Sequence, residues 1–288
     1  MRRAGIIVLV LGFVAVACGD LESEAAVTNV PESRATSPPE TVAPVSDSTL
    51  EVSVGGVVRY GDAPQQFVEL RTPDGDGPFP IIVFIHGGFW RNFYDLSLAH
   101  EQAADAREHG YATWNVEYRR VGDPGGGYPG TLDDVAAAID AMALVDAPLN
   151  LDRVYVVGHS AGGHLALWVG QRDDPVVTPQ LVVGQAPVVD LANSLNLGRG
   201  AVEAFMGGGP DAVPAAYDAA DPSRRLPVKV PQLIVQGAKD DTVPLAYVQS
   251  YADASGADII VFPDAGHFDV ISPDSPTWEY VLGYIANL

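Results

Sequence analysis

Short apolar runs separated by turn residues recur along this chain from about residue 50 onward. Val52–Arg59 and Gln66–Arg71 alternate apolar and polar positions, which predicts half-buried strands of an antiparallel edge. Ile81–Ile85 is continuously apolar, as is typical of a strand covered on both faces. Further strands are predicted over Tyr111–Tyr118, Arg153–Val157, Leu181–Gln185, Gln232–Gln236 and Asp258–Phe262.

Helical patterns separate these strands. They cover Asp95–Glu108, Thr131–Leu144, Ala161–Gln171, Leu245–Ala254 and Trp278–Asn287. Thr131 is the expected N-cap of the second helix, with Asp133 and Asp134 in its first turn. The segment 187–227 is irregular, with one short helix expected over 201–206.

Strands that alternate with helices after an initial hairpin predict an α/β domain over residues 51–288. We expect a mostly parallel central sheet with helices on both faces, an antiparallel N-terminal hairpin, and a small cap or none. Ligands of such sheets bind at the carboxyl ends of the strands. Functional residues are therefore sought directly after the predicted strands.

The first 50 residues differ from the rest of the chain. Two arginines follow Met1, residues 6–16 form an apolar run, and small residues precede Cys18, which resembles a bacterial lipobox. Residues 1–17 are the expected signal peptide. Residues 18–50 are rich in Pro, Ser, Thr, Glu and Ala, which predicts a disordered tether. We expect an exported protein held on the cell membrane by a lipid on Cys18, with plain secretion as the alternative.

Composition excludes several classes of function. The net charge of −21 over 288 residues argues against nucleic-acid binding, because a phosphate backbone would be repelled. A single cysteine excludes an intrachain disulfide. No cluster of His, Cys and Asp has the spacing of a zinc site, so no metal is expected. The sequence gives no indication of oligomeric state.

The strongest chemical signal is the pentapeptide Gly158-His159-Ser160-Ala161-Gly162. It lies between a β-branched run and an apolar helical run, so a serine is expected at a sharp strand-to-helix turn. A Gly-x-Ser-x-Gly in that context is typical of a nucleophile elbow. Ser160 is therefore the candidate nucleophile, for which acyl transfer is the expected reaction.

A serine hydroxyl needs a base to take its proton and a third group to orient that base. His267 follows the last predicted strand, and Asp240 and Asp241 follow the strand before it. The order Ser, acid, His is the one found in α/β-hydrolases. We assign His267 as the base and Asp240 as its partner, since Asp240 fits the Gly-x-x-Asp-x-x-Val-Pro spacing of many esterases and dipeptidyl peptidases. Asp241 is expected to bond loop backbone.

Backbone N–H groups are expected to hold the oxyanion that forms when Ser160 attacks a carbonyl. The N–H of Ala161 begins a helix and is one donor. Those of Gly88 and Phe89 are the others, by analogy with the His-Gly-Gly-Gly loop of lipases. Trp90 in the same loop either lines the acyl pocket or fills the core.

Together these motifs resemble the α/β-hydrolases around kynurenine formamidase, bacterial feruloyl-esterase-like (BD-FAE-type) enzymes and hormone-sensitive-lipase-like carboxylesterases. The resemblance covers about residues 51–288 and implies an α/β-hydrolase fold with no cofactor. It implies a serine hydrolase that acts through an acyl-enzyme, and it is poorly specific for substrate. Because an exported protein would not meet a cytosolic tryptophan catabolite, we expect it to cleave small-molecule carboxylic esters. A serine peptidase or arylformamidase using the same three residues is the alternative. A non-enzymatic, hydrolase-like binding lipoprotein is the third reading.

Overall fold

A mixed sheet forms the centre of the computed structural model, which describes residues 49–53 and 55–288. The strands of this described part are β1 Val57–Arg59, β2 Phe67–Arg71, β3 Phe79–Ile85, β4 Ala112–Val116, β5 Leu149–His159, β6 Leu181–Gln185, β7 Gln232–Gly237 and β8 Asp258–Phe262. Their order across the sheet is β1-β2-β4-β3-β5-β6-β7-β8. β1, β2 and β4 pair antiparallel, and every pairing from β4 to β8 is parallel.

Helices cover both faces of this sheet. They are α1 His100–Glu108, α2 Gly130–Asp140, α3 Ala161–Val169, α4 Ala201–Met206, α5 Pro214–Ala220, α6 Leu245–Ser255 and α7 Pro276–Ala286. Buried apolar side chains of α2, α3 and α6 pack on one face, and those of α1 and α7 pack on the other. This is the α/β-hydrolase arrangement expected from the sequence, and it confirms the predicted fold class.

The N-terminal hairpin differs from the prediction. Val52–Arg59 was expected to be one strand, but only Val57–Arg59 is, and Val52 pairs back on Val58 through an isolated bridge. Gly55 and Gly56 have φ values of 96° and 79°, which an extended strand does not allow. A tight turn therefore divides the predicted strand.

The expected N-cap of α2 is also wrong. Thr131 lies inside the helix, which begins at Gly130. Its hydroxyl accepts the N–H of Gly127 at 3.0 Å and donates to the carbonyl of Arg119 at 2.6 Å. The side chain thus ties together two points of the loop between β4 and α2 instead of capping the helix.

The segment 187–227 forms a small cap that contains α4 and α5. It is fastened to α3 by two side chains of that helix: Nε2 of His164 donates to the carbonyl of Ala220 at 2.9 Å, and Nε1 of Trp168 donates to that of Ala219 at 3.0 Å. Helix α5 was not expected from the sequence, because its few apolar residues give no clear period.

The predicted signal peptide 1–17, Cys18 and most of the predicted tether lie outside the described residues. At the tether's predicted end, Leu50 donates its N–H to the carbonyl of Leu144 at 2.8 Å. Contact with the α/β unit is thus established by residue 50. Within the part of the chain that the structure describes, no helix has the length and apolar character needed to cross a membrane.

Candidate active site

Ser160 lies at a sharp turn between β5 and α3, at the carboxyl edge of the sheet. Its backbone has φ 56° and ψ −117°, a region that residues other than glycine rarely adopt. The turn needs small neighbours, since a Cβ on Gly162 would lie 2.1 Å from the carbonyl oxygen of Ile85. These are the features of a nucleophile elbow, as the Gly-x-Ser-x-Gly pattern indicated.

The structure brings together the three side chains predicted to act on substrate. Nε2 of His267 lies 3.1 Å from Oγ of Ser160, and Nδ1 of His267 lies 2.8 Å from Oδ2 of Asp240. All three residues are buried. With the N–H on Nδ1 donating to the carboxylate, Nε2 is free to accept the serine proton.

Asp240 is fixed by its own loop as well as by His267. Its Oδ1 accepts the N–H groups of Thr242 and Val243, and its Oδ2 also accepts Nε2 of Gln236 at 3.0 Å. Burial alone raises the pKa of this carboxyl, but the hydrogen bonds from His267, Val243 and Thr242 outweigh it and hold the pKa below its ordinary value. The carboxylate therefore stays ionised at neutral pH.

The neighbouring carboxylate does not take part in this arrangement. Asp241 is exposed, and its Oδ1 accepts only the hydroxyl of Thr242, at 3.4 Å. The expectation that Asp241 bonds loop backbone is wrong, because Asp240 takes those backbone donors. Gln236 was not identified from the sequence, although its place at the end of the strand before the Asp240 loop was a usable signal.

Residues 86–90, here called the His-Gly-Gly loop, follow β3 and lie against the elbow. A Cβ on Gly87 would lie 3.2 Å from that of Ser160, so the loop backbone approaches the nucleophile closely. Phe89 and Trp90 have φ values of 53° and 54°. Phe89 thus adopts the left-handed conformation that favours glycine, at the position where lipases carry a third glycine. The assignment of the N–H groups of Gly88, Phe89 and Ala161 to the oxyanion stays a prediction.

A buried polar cluster holds this loop from beneath. The hydroxyl of Tyr118 donates to the carbonyl of His86 at 2.6 Å, and Glu117 accepts the N–H of Leu96 at 2.9 Å. Arg120 pairs with Glu117 at 2.8 Å. The strand end after β4 therefore serves as a support for the His-Gly-Gly loop.

Two further aromatic groups near the elbow belong to the core. Trp90 is fully buried and stacks on Phe205 with ring centroids 4.7 Å apart. Its Nε1 donates to Nδ1 of His164 at 3.3 Å. Trp90 therefore fills the core, and His164 links the loop to the small cap.

A nucleophile, a base and an orienting carboxylate in this geometry can carry out acyl transfer. Metal-assisted hydrolysis would need a cluster of ligands. Among residues 49–53 and 55–288, no three His, Cys, Asp or Glu side chains are grouped so that they could hold a metal ion.

Comparison with known families bears on this arrangement. The BD-FAE family model matches residues 69–254, which is more than half of the chain. The chain belongs to the BD-FAE family. The match includes the His-Gly-Gly loop, the elbow and Asp240, and it ends before His267.

Curated relatives of this BD-FAE protein match part of its length. Esterase LipC of Mycobacterium tuberculosis is 26% identical over 247 residues, which cover 74% of this chain and 60% of LipC. A kynurenine formamidase of Meyerozyma guilliermondii is 30% identical over 118 residues, which cover 41% of this chain and 43% of that enzyme. The chain spans about half the length of the curated relatives that it matches.

Solved structures share the fold. A truncated carbohydrate esterase from gut microbiota matches with a TM-score of 0.70 at 18% identity, covering 85% of this chain and 98% of that one. Esterase B from Lactobacillus rhamnosis matches with a TM-score of 0.67 at 21% identity, covering 80% of this chain and 82% of that one. At these identities the likeness concerns the α/β-hydrolase fold alone.

Proposed function

We propose that this BD-FAE protein is a serine hydrolase that cleaves small-molecule carboxylic esters through an acyl-enzyme intermediate. The observation that carries the proposal is the hydrogen-bonded series from Asp240 through His267 to Ser160, with Ser160 at a strained strand-to-helix turn. LipC, an esterase by name, is among its relatives and supports the choice of bond.

The reaction begins with the hydroxyl of Ser160. Its Oγ attacks the ester carbonyl while Nε2 of His267, 3.1 Å away, takes the proton. The resulting imidazolium is stabilised by Asp240, whose lowered pKa keeps it anionic. The same proton then goes to the departing alcohol, which leaves the acyl group on Ser160.

The tetrahedral intermediate carries a negative charge on the former carbonyl oxygen. The N–H groups of Gly88, Phe89 and Ala161 are the proposed donors to it. Ala161 is the first residue of α3, so its N–H has no partner within the helix. Water, deprotonated by His267, then attacks the acyl-enzyme, and the histidine returns this proton to Oγ of Ser160 as the acid leaves.

An amide-cleaving enzyme is the second candidate. Kynurenine formamidases of Meyerozyma guilliermondii and Aspergillus versicolor are among the relatives, at 30% and 32% identity over about two fifths of this chain. The same three side chains could transfer a formyl group from nitrogen or act as a peptidase. A hydrolase-like binding protein without activity is the third reading.

Matched substrates separate these candidates. The purified full chain is assayed on p-nitrophenyl acetate, p-nitroacetanilide, N-formylkynurenine and L-alanine p-nitroanilide. We expect kcat/KM for the ester to exceed that for each amide by at least about 100-fold, with Ser160→Ala inactive on all. A preference for N-formylkynurenine or the aminoacyl amide would replace the esterase proposal. No turnover of any substrate would favour the binding protein.

Anchoring at the membrane is a separate proposal, which rests on the basic start, the apolar run and Cys18. In bacterial lipoproteins the signal peptide is cut before a cysteine that follows small residues, and this cysteine is then lipidated. Several acyl chains hold a protein stably on a bilayer. Expression in a bacterium fed an alkynyl fatty acid tests it. We expect label in the wild type and none in Cys18→Ser; unlabelled, soluble wild type would support plain secretion.

A further inference from the structure

His159 lies directly before Ser160, at the end of β5, and is only 7% exposed. Its ring lies beside the ring of His267, with centroids 4.6 Å apart and planes at 48°. Two histidines thus meet at the site, and the ring of His267 makes the side-chain hydrogen bonds to Ser160 and Asp240.

The contact between them includes a hydrogen bond to the backbone. Nε2 of His159 lies 2.9 Å from the carbonyl oxygen of His267. Because a carbonyl oxygen only accepts, the hydrogen of His159 is on Nε2 and its side chain is the donor. Burial, followed by the nearby His267, lowers the pKa of His159 to about 3, so the ring is neutral in the working enzyme.

Sheet topology explains why His267 needs such a bond. Ser160 follows β5 and His267 follows β8, and β6 and β7 lie between them. Three strand spacings of about 4.8 Å separate β5 from β8, so the loop that carries His267 crosses about 14 Å to reach the elbow. Asp240 holds the imidazole at Nδ1, but that bond does not fix the backbone from which the ring extends.

We propose that His159 is a positioning residue for the hydrolysis proposed above: its Nε2–H holds the carbonyl of His267 and so places the imidazole within reach of Ser160. The bond joins the elbow directly to the catalytic loop. It involves neither the substrate nor the transferred proton. Loss of the bond should therefore lower kcat and leave KM nearly unchanged.

Two exchanges separate the hydrogen bond from the packing. His159→Phe keeps a ring of similar size and removes the donor. His159→Gln keeps an amide N–H at about the position of Nε2. With p-nitrophenyl acetate we expect kcat of His159→Phe to fall by about 10- to 100-fold, the range expected for a misplacement of up to about 1 Å. KM should stay within about threefold, and His159→Gln should recover kcat to within about fivefold of the wild type.

An equal fall in kcat in His159→Phe and His159→Gln would overturn the proposal. So would a kcat of His159→Phe within about twofold of the wild type. Far-ultraviolet circular dichroism establishes that each variant is folded. Should His159→Phe not fold, His159→Asn replaces it, because its amide nitrogen is one methylene short of the carbonyl and the comparison with His159→Gln is unchanged.

Ser160→Ala in the same assay distinguishes failure of the proposed serine hydrolase mechanism from failure of the positioning role of His159. If Ser160→Ala keeps its activity, the proposed serine hydrolase mechanism fails and the positioning role fails with it. If Ser160→Ala is inactive while His159→Phe is unimpaired, only the role of His159 fails.

Discussion

Acid should destabilise this protein through two buried histidines, His159 and His164. Burial, with His267 as a second cause, lowers the pKa of His159 from 6.5 to about 3, and burial lowers that of His164 from 6.5 to about 4. Below pH 6.5 the unfolded chain binds protons at both positions and the folded chain does not. The free energy of unfolding therefore falls as the pH falls from about 6.5 toward these lowered values.

The size of the effect follows from these two pKa values. Each histidine lowers the free energy of unfolding by about 1.4 kcal/mol per pH unit once the pH is below 6.5. Each therefore lowers it by about 2 kcal/mol between about pH 7 and about pH 5. Together His159 and His164 remove about 4 kcal/mol, a large part of a typical domain stability of about 5–15 kcal/mol. Asp221, whose pKa is raised by burial, acts in the opposite direction. Because Asp221 is present in the wild type and in every histidine variant, its contribution cancels when their free energies of unfolding are compared.

Urea unfolding of the full chain at about pH 7, 6 and 5, followed by tryptophan fluorescence, measures this dependence. His164→Gln keeps a donor for the cap carbonyl and cannot titrate, so it should lose about 2 kcal/mol less than the wild type over this range. His159→Gln should behave in the same way. Equal pH dependence in the wild type and His164→Gln would refute this reasoning.

Three further substitutions test separate parts of the site. Asp240→Asn should lower kcat by roughly 10²- to 10⁴-fold because it no longer orients the histidine or stabilises its cation, while Asp241→Asn should stay within about threefold. Gly162→Ala should lower the free energy of unfolding by about 2–4 kcal/mol in urea titrations, because its Cβ meets backbone. Gly283→Ala, which meets nothing within 4 Å, should not lower it. Tyr118→Phe removes the buried hydroxyl that donates to the His-Gly-Gly loop, and it should lower the free energy of unfolding by about 1–2 kcal/mol in the same titration.

The central strands could be predicted from the sequence because they are covered on both faces. Ile81–Ile85 is a continuous apolar run, and the structure places it inside β3. Val52–Arg59 alternates as a strand does, but two glycines with positive φ turn the chain within it. Alternation reports which side chains face the core, and it does not report where the backbone reverses.

The site residues that could be predicted are those marked by the sequence directly around them. Ser160 is marked by its own flanking glycines, and His267 and Asp240 by their places after strands. The hydrogen bond from His159 to the carbonyl of His267 was not predictable, because it joins residues 108 positions apart through a backbone atom. No side-chain type at either position signals such a bond.

The cap was the least predictable part of the fold. Helix α4 lies where one short helix was expected, at Ala201–Met206, but α5 has only seven residues, too few for a helical period to stand out. What holds the cap is a set of contacts from α3, such as the bond from His164 to the carbonyl of Ala220. These contacts depend on tertiary structure and not on the segment's own sequence.

The central claim is that the hydroxyl of Ser160 is made nucleophilic by His267 and becomes acylated. Reaction of the folded full chain with a fluorophosphonate, followed by peptide mapping in a mass spectrometer, tests it most directly. We expect one adduct, on Ser160, that is absent in Ser160→Ala and forms at least about 100-fold more slowly in His267→Gln. An unmodified Ser160 after prolonged reaction, or equal labelling rates in the wild type and His267→Gln, would contradict it.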